Sequence, residues 1–207
     1  MENIIAAIFQ VESEGYQAIT TLRQQPLTDD YGILQMSLIK RVGKSIVECD
    51  AFQSGIHTTD DTHRGGVIGG LLGILGGPIG VMLLGSTGAL AGSIVDAKDE
   101  KNSASLIEKV ADKLEDGCVA LIILAEEAEE ASLDEKLGRF KTDILRFDAA
   151  VIAEEVEEAE RMQKEMERQA RQQLRDTKKA ERKQAVEDKR AKIKADFESF
   201  KARFKKN

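Results

Sequence analysis

Two cysteines in 207 residues, Cys49 and Cys118, are too few for a disulfide framework. Both sit in apolar, strand-like stretches and read as buried reduced thiols, which behave as small hydrophobes. The amino-terminal MENIIAAIFQVESEGYQ has no basic run ahead of its short apolar stretch, so it does not read as a secretory signal. A cytoplasmic location is the expectation that follows. No Ser/His/Asp or Cys/His arrangement and no zinc-ligand spacing is visible. His57 and His63 flank TTDDT, but Asp, His and Thr ahead of a helix read as a solvated loop and cap. The chain is therefore read as a non-enzyme with no catalytic residue, metal site or cofactor.

The most informative absence is of charge. Residues 65–95, GGVIGGLLGILGGPIGVMLLGSTGALAGSIV, hold no Asp, Glu, Lys or Arg, and eleven of them are glycine. No two of these glycines stand two apart, so the GxGxxG dinucleotide fingerprint is missing. No lysine is present to grip a phosphate as a P-loop requires. The glycines instead recur at helical spacing. Gly65, Gly69, Gly73 and Gly77 repeat every four residues and Gly76 pairs with Gly80. Beyond Pro78, Gly88 pairs with Gly92, and Gly85 opens a small-residue row with Ala89 and Ser93. Residues four apart share a helix face, and a row of small residues there lets a second backbone approach closely.

Energetics sharpen the point. A glycine in a solvated helix costs roughly 0.8–1 kcal/mol relative to alanine, so eleven would cost on the order of 10 kcal/mol, the whole stability of a typical domain. Close packing has to offset that. The expectation is a helical hairpin turning at Gly76-Gly77-Pro78, with these glycines as the packing or insertion residues. The pieces before and after Pro78 would span about 20 and about 25 Å as helix, against a hydrocarbon core of about 30 Å. Two full crossings do not fit; partial insertion into a membrane and burial within a protein assembly both stay open.

Around that segment the elements read as alternating strands and helices. NIIAAIFQV is apolar on both faces, as a doubly buried strand requires. SEGYQAITTLRQQ carries Tyr16, Ile19 and Leu22 at helical spacing and is closed by Pro26. YGILQMSLIKR and SIVECDAFQ form a hairpin about VGK. SASLIEKVADKLEDG is a helix capped by Ser103 or Ser105, with Leu106, Val110 and Leu114 on one face and a stop at Gly117. CVALIILA is another buried strand, followed by a short helix in SLDEKLGRF and a short strand in TDILRFD. The resulting fold class is α+β: a ferredoxin-like βαββαβ body over residues 1–148, with the glycine hairpin of residues 65–95 inserted and a charged helix over residues 149–207.

The stretches AAIFQVESEGYQAITTL, GGLLGILGGPIGVMLLGSTGALAGSIVDA and EKVADKLEDGCVALIILAEE together resemble a bacterial family, domain of unknown function twelve sixty-nine, often labelled a predicted membrane protein. The resemblance covers roughly residues 3–160 and leaves the tail outside. It implies no activity and supplies no catalytic residues, and its membrane label rests on the hydropathy of the same glycine segment.

The tail lacks glycine and proline altogether between residues 149 and 206, which favours one long helix. Val156, Ala159, Met162, Met166, Ala170 and Leu174 offer a weak coiled-coil seam; a single helix held by i,i+4 ion pairs fits as well. Ile193, Phe197, Phe200 and Phe204 then fall on one stripe of a helix rich in Lys and Arg. Such a basic amphipathic helix suits an anionic membrane surface, a partner or second subunit, or the protein's own body. Charge divides the same way: residues 1–160 hold 13 Lys/Arg and 29 Asp/Glu, residues 161–207 hold 17 and 8. That acidic body argues against nucleic acid. The leading expectation is a self-associating protein bound to membranes through the glycine hairpin or the tail. The alternatives are a soluble homo-oligomer (cage, ring or filament) with the hairpins between subunits, and a small-molecule sensor.

Overall fold

The two runs with no polar face, near the amino terminus and after Gly117, become adjacent strands in the interior of one sheet. The computed structural model describes residues 1–55, 61–85 and 105–204, with side-chain surroundings for 1–55, 66–84 and 105–194. In chain order the elements are β1 (Glu2–Phe9), α1 (Glu12–Gln24), β2 (Tyr31–Val42), β3 (Ser45–Gln53), α2 (Asp61–Leu75), α3 (Pro78–Gly85), α4 (Leu106–Lys113), β4 (Val119–Glu127), α5 (Glu130–Leu137), β5 (Thr142–Asp148) and α6 (Ala149–Phe204). The class is α+β, with a five-stranded antiparallel sheet in the order β3-β2-β4-β1-β5. β1 and β4 pair from Glu2↔Glu126 to Phe9↔Val119. The β2–β3 hairpin turns at Gly43, whose φ of 63° is the left-handed conformation this two-residue turn needs.

The strand order differs from the expected one in a definite way. A βαββαβ unit taken in sequence would place β3 between β1 and β2; β4 lies there, and β3 is at the edge beside β2. Burial explains the choice. β4 is buried at eight of its nine positions, whereas no residue of β3 is fully buried. The strand that hides both faces takes the centre.

One sheet face packs on α1 and α5 through Ala18, Ile19, Leu22, Leu133 and Leu137 against Ile5, Phe9, Leu38, Leu121 and Ile123. Alternation sends Ile4, Ala6, Ala120, Ile122 and Leu124 to the opposite face, and these too are buried. The glycine segment helps to cover them: α2 lies against β2 and β3, α3 against β3, and α4 against β1. Val67, Ile68, Leu71, Ile74 and Leu75 of α2 and Ile79 and Leu84 of α3 are all buried in this layer. The described part of the segment, residues 66–84, is thus a structural layer of the body.

Its shape also departs from expectation. Across Gly76-Gly77 the two helices are bent by 58°, a kink where a hairpin would fold back. Pro78 opens α3, the position where its fixed φ suits a helix and its missing N–H is not needed. Among the described residues no single helix is long and apolar enough to cross a membrane, although this bent pair passes the same test of length and composition.

Two units make up the chain, Met1–Gln163 and Lys164–Asn207. The first includes the opening turns of α6, beyond the expected boundary at 148/149, because Ile152, Val156 and Ala159 are buried there. The second unit is helical through Phe204, and every residue from 168 to 194 is exposed. The expected coiled-coil seam is therefore split: Val156 and Ala159 are buried within the first unit, while Ala170 and Leu174 lie open.

Candidate functional site

The glycines of α2 divide into two sets. Gly70 faces Val156 of α6, where a Cβ would come within 2.5 Å of Val156 Cγ1. Gly77 faces Gln163 at the same distance, to Oε1. A Cβ on Gly80 would run into the backbone of Leu75. These three mark the close approaches that let α2, α3 and α6 pack. Gly66, Gly69 and Gly73 are different: among the described residues a side chain at any of them would meet nothing within 4 Å. Of the row Gly65-Gly69-Gly73-Gly77, only Gly77 makes a close in-chain contact among those whose surroundings are described; the effective partner of Gly77 is Gly70, seven residues back. That pairing follows the line of α6, which the four-residue period does not reveal. Gly65 and Gly85 lie on α2 and α3, and Gly88 and Gly92 fall outside the described residues.

Charged side chains anchor this layer from both ends. Arg41 of β2 donates to Leu114 O at 2.7 Å, Leu84 O at 2.6 Å and Gly43 O at 3.0 Å. It thereby serves the carboxyl ends of both α3 and α4, where free carbonyls and the helix dipole favour a cation. At the opposite end of α4, Ser105 is the amino cap, accepting from Glu108 N. Glu155 of α6 accepts from the Ser105 hydroxyl and from the amides of Leu106 and Ile107. Burial pushes the Glu155 carboxyl above the usual carboxylate range, the two amides pull it down, and nearby Glu108 pushes it up again.

A second polar cluster lies at the start of β1. The Glu127 carboxylate is fully buried, takes Asn3 Nδ2 at 2.7 Å and is held bidentately by Arg146 at 2.9 and 3.0 Å. Arg146 also reaches Asp134 Oδ1 at 2.7 Å. These acids hold the guanidinium firmly charged against the opposing effect of burial. Every strong donor here is matched, so the cluster is a fastening between β1, β4, β5 and α5. A cleft of about 540 Å³ nearby is lined by Asp29, Asp30, Tyr31 and Glu126. Its described lining gives no nucleophile–base geometry.

No group of three or more His, Cys, Asp or Glu that could hold a metal occurs among the described residues. His57 lies outside them, and the surroundings of His63 on α2 are not described. Both cysteines are free, Cys118 buried and Cys49 only half-buried. In the tail, Ile193 is exposed at 68%; Phe197, Phe200 and Phe204 stand on α6, with side chains beyond those described.

The uncharacterized protein YfjB of Bacillus subtilis (strain 168) is 30% identical over 100 residues, 48% of this chain and 23% of that protein. The aligned region thus spans about a quarter of the relative's length. No solved structure matches the chain. A family match covers residues 62–177, from α2 through the first half of α6, so the shared part begins later than residue 3 and includes some thirty residues of α6. By that match the chain belongs to the family described as protein of unknown function (DUF1269).

Proposed function

We propose that the protein is a non-enzymatic, self-associating protein whose acidic body meets further copies of itself and whose basic helix reaches an acidic surface. The observation that carries this reading is the face of α2 at Gly66, Gly69 and Gly73, which is exposed and, among the described residues, has no neighbour within 4 Å of an added side chain. Three solvated helical glycines cost about 3 kcal/mol relative to alanine, which a second backbone lying against them would offset. The buried polar groups argue in the same direction, because Arg41, Glu127 and Arg146 are all engaged in holding elements together.

Of the two assemblies that the sequence leaves open, the homo-oligomer is favoured over insertion of the glycine segment into lipid, because most of the large apolar side chains described on α2 and α3 are already buried in the chain, with Val81 and Met82 exposed. We also read the body as ferredoxin-like. Without β3, the series β1-α1-β2-β4-α5-β5 has the sheet order β5-β1-β4-β2, two interleaved split βαβ units. That fold hosts many functions and does not choose among them.

Light scattering on the purified full-length chain tests the proposal. Oligomers are expected without detergent, and Gly73→Leu is expected to dissociate them with the helical content unchanged, since residue 73 has open space around it. A wild-type monomer at every concentration up to the millimolar range overturns the reading.

Exposure of residues 168–194, with 16 Lys/Arg against 8 Asp/Glu across residues 164–207, favours a second reading: attachment to the inner, anionic surface of the cell membrane from a cytoplasmic location. Flotation with anionic vesicles tests it. Binding that is lost in Phe197→Glu plus Phe200→Glu supports the tail as the anchor; no flotation of the wild type removes the membrane from the account.

A further inference from the structure

On the body, a groove of about 270 Å³ runs beside the first turns of α6. Its floor is apolar, formed by Val67, Leu124 and Ala153, and its rim carries Glu2, Glu154 and Glu157. Val67 and Leu124 are buried at the bottom, whereas Glu154 and Glu157 are exposed at the edge. A groove of this kind fits a helix that offers apolar side chains along one line with cations on either side.

The chain itself contains such a helix. Phe197, Phe200 and Phe204 fall on one face by their spacing of three and four, and Lys194, Lys201 and Arg203 flank them. The body has the opposite charge, with 14 Lys/Arg and 29 Asp/Glu over residues 1–163. We propose that this groove receives the phenylalanine-bearing end of α6 from a second copy of the chain. The proposal rests on the self-association argued above and adds to the glycine face of α2 a second contact, between this groove and a tail. Self-association supplies the second copy, and the opposite charges of its tail and of this rim match the two. Phenylalanine rings bury large apolar areas, and the paired charges fix register and sign more than they add affinity. The contact joins two different surfaces, so it is heterologous and extends into a ring or filament unless two copies exchange tails.

Charge reversal on full-length protein provides the test. Glu154→Lys with Glu157→Lys, and separately Lys201→Glu with Arg203→Glu, are each expected to weaken self-association by about tenfold in sedimentation equilibrium. Combining all four substitutions in one chain is expected to restore it. All these side chains lie at exposed or tail positions, and circular dichroism checks that the fold persists. If neither reversal shifts association while the wild type remains oligomeric, this contact is wrong and self-association by another surface stands. If the wild type is monomeric, both fall. Disulfide trapping between Ala153→Cys and Phe200→Cys, in a Cys49→Ser background with two differently tagged chains, identifies the donor of the tail. A bond between the two tags supports the assignment, and a bond only within one chain overturns it.

Discussion

Val156 Cγ1 occupies the space that a side chain at Gly70 would need, since a Cβ at residue 70 would lie 2.5 Å away from it. At the position three residues further on, Gly73, an added Cβ would have nothing within 4 Å among the described residues. One helix therefore carries glycines of opposite meaning. Gly70→Ala is expected to destabilise the chain by about 1–3 kcal/mol, the range for overpacking in a well-packed site. Gly73→Ala is expected to stabilise the folded subunit by about 0.5–1 kcal/mol through helix propensity. Urea unfolding of both variants under dissociating conditions checks the contrast; equal effects of the same sign would show that α2 does not pack on α6 through residue 70.

Arg41 gives a second separable effect. Its guanidinium joins the carboxyl ends of two helices through carbonyls that lie 43 and 73 residues from it in sequence. Arg41→Met keeps much of the aliphatic stem and removes the donors. The expected cost is about 2–4 kcal/mol, from two charge-assisted hydrogen bonds left unmade at partly buried carbonyls. Amide exchange should become faster in α3 and α4 than in α1, which lies on the other sheet face. Uniform loss of protection would show that Arg41 acts on the fold as a whole.

Much of this architecture was legible in local sequence signals, because local physics dictates them. The Ser105 cap, the turn at Gly43-Lys44 and the doubly apolar run of β4 each declare themselves within a few residues. Sheet order did not, since whether β3 or β4 stands beside β1 depends on which strand has both faces covered. The glycine segment is legible only in part. Its lack of charge and its glycine spacing point to close packing without naming the partner; among the described residues Gly70 and Gly77 approach α6, and Val67, Ile68, Leu71, Ile74 and Leu75 are buried in the layer over the second sheet face. Hydropathy alone does not distinguish these surroundings. Which glycines pack depends on the line along which α6 crosses them, and no periodicity within residues 65–95 encodes that line.

The buried ion pair between Glu127 and Arg146 yields a double-mutant prediction. Arg146→Met alone leaves a fully buried carboxylate with Asn3 as its remaining side-chain partner, and is expected to cost about 3–5 kcal/mol. Glu127→Gln added to it removes the uncompensated charge and should recover a large part of that loss. A double variant no better than the single one, measured by chemical unfolding, would show that Arg146 acts by packing rather than by charge.

Glu155 supplies the pH dependence. Burial raises its carboxyl above the ordinary range, the amides of Ile107 and Leu106 act against that, and Glu108 adds to it. A carboxyl whose folded-state value is raised binds its proton more tightly in the folded chain than in the unfolded one. Its contribution to stability is therefore complete below the ordinary glutamate value of about 4.3, and is lost as pH rises through the raised folded value. Glu155→Gln is neutral at every pH and does not undergo that loss. The stability of the variant minus that of the wild type is thus expected to increase as pH is raised from about 4 and to level off once Glu155 is ionised in the folded chain. Taking the difference cancels the titration of carboxylates that do not interact with Glu155. A difference that stays flat over this range would mean that Glu155 ionises as it does in the unfolded chain, and one that falls would mean that its hydrogen-bond donors at the α4 cap outweigh burial; either overturns the prediction.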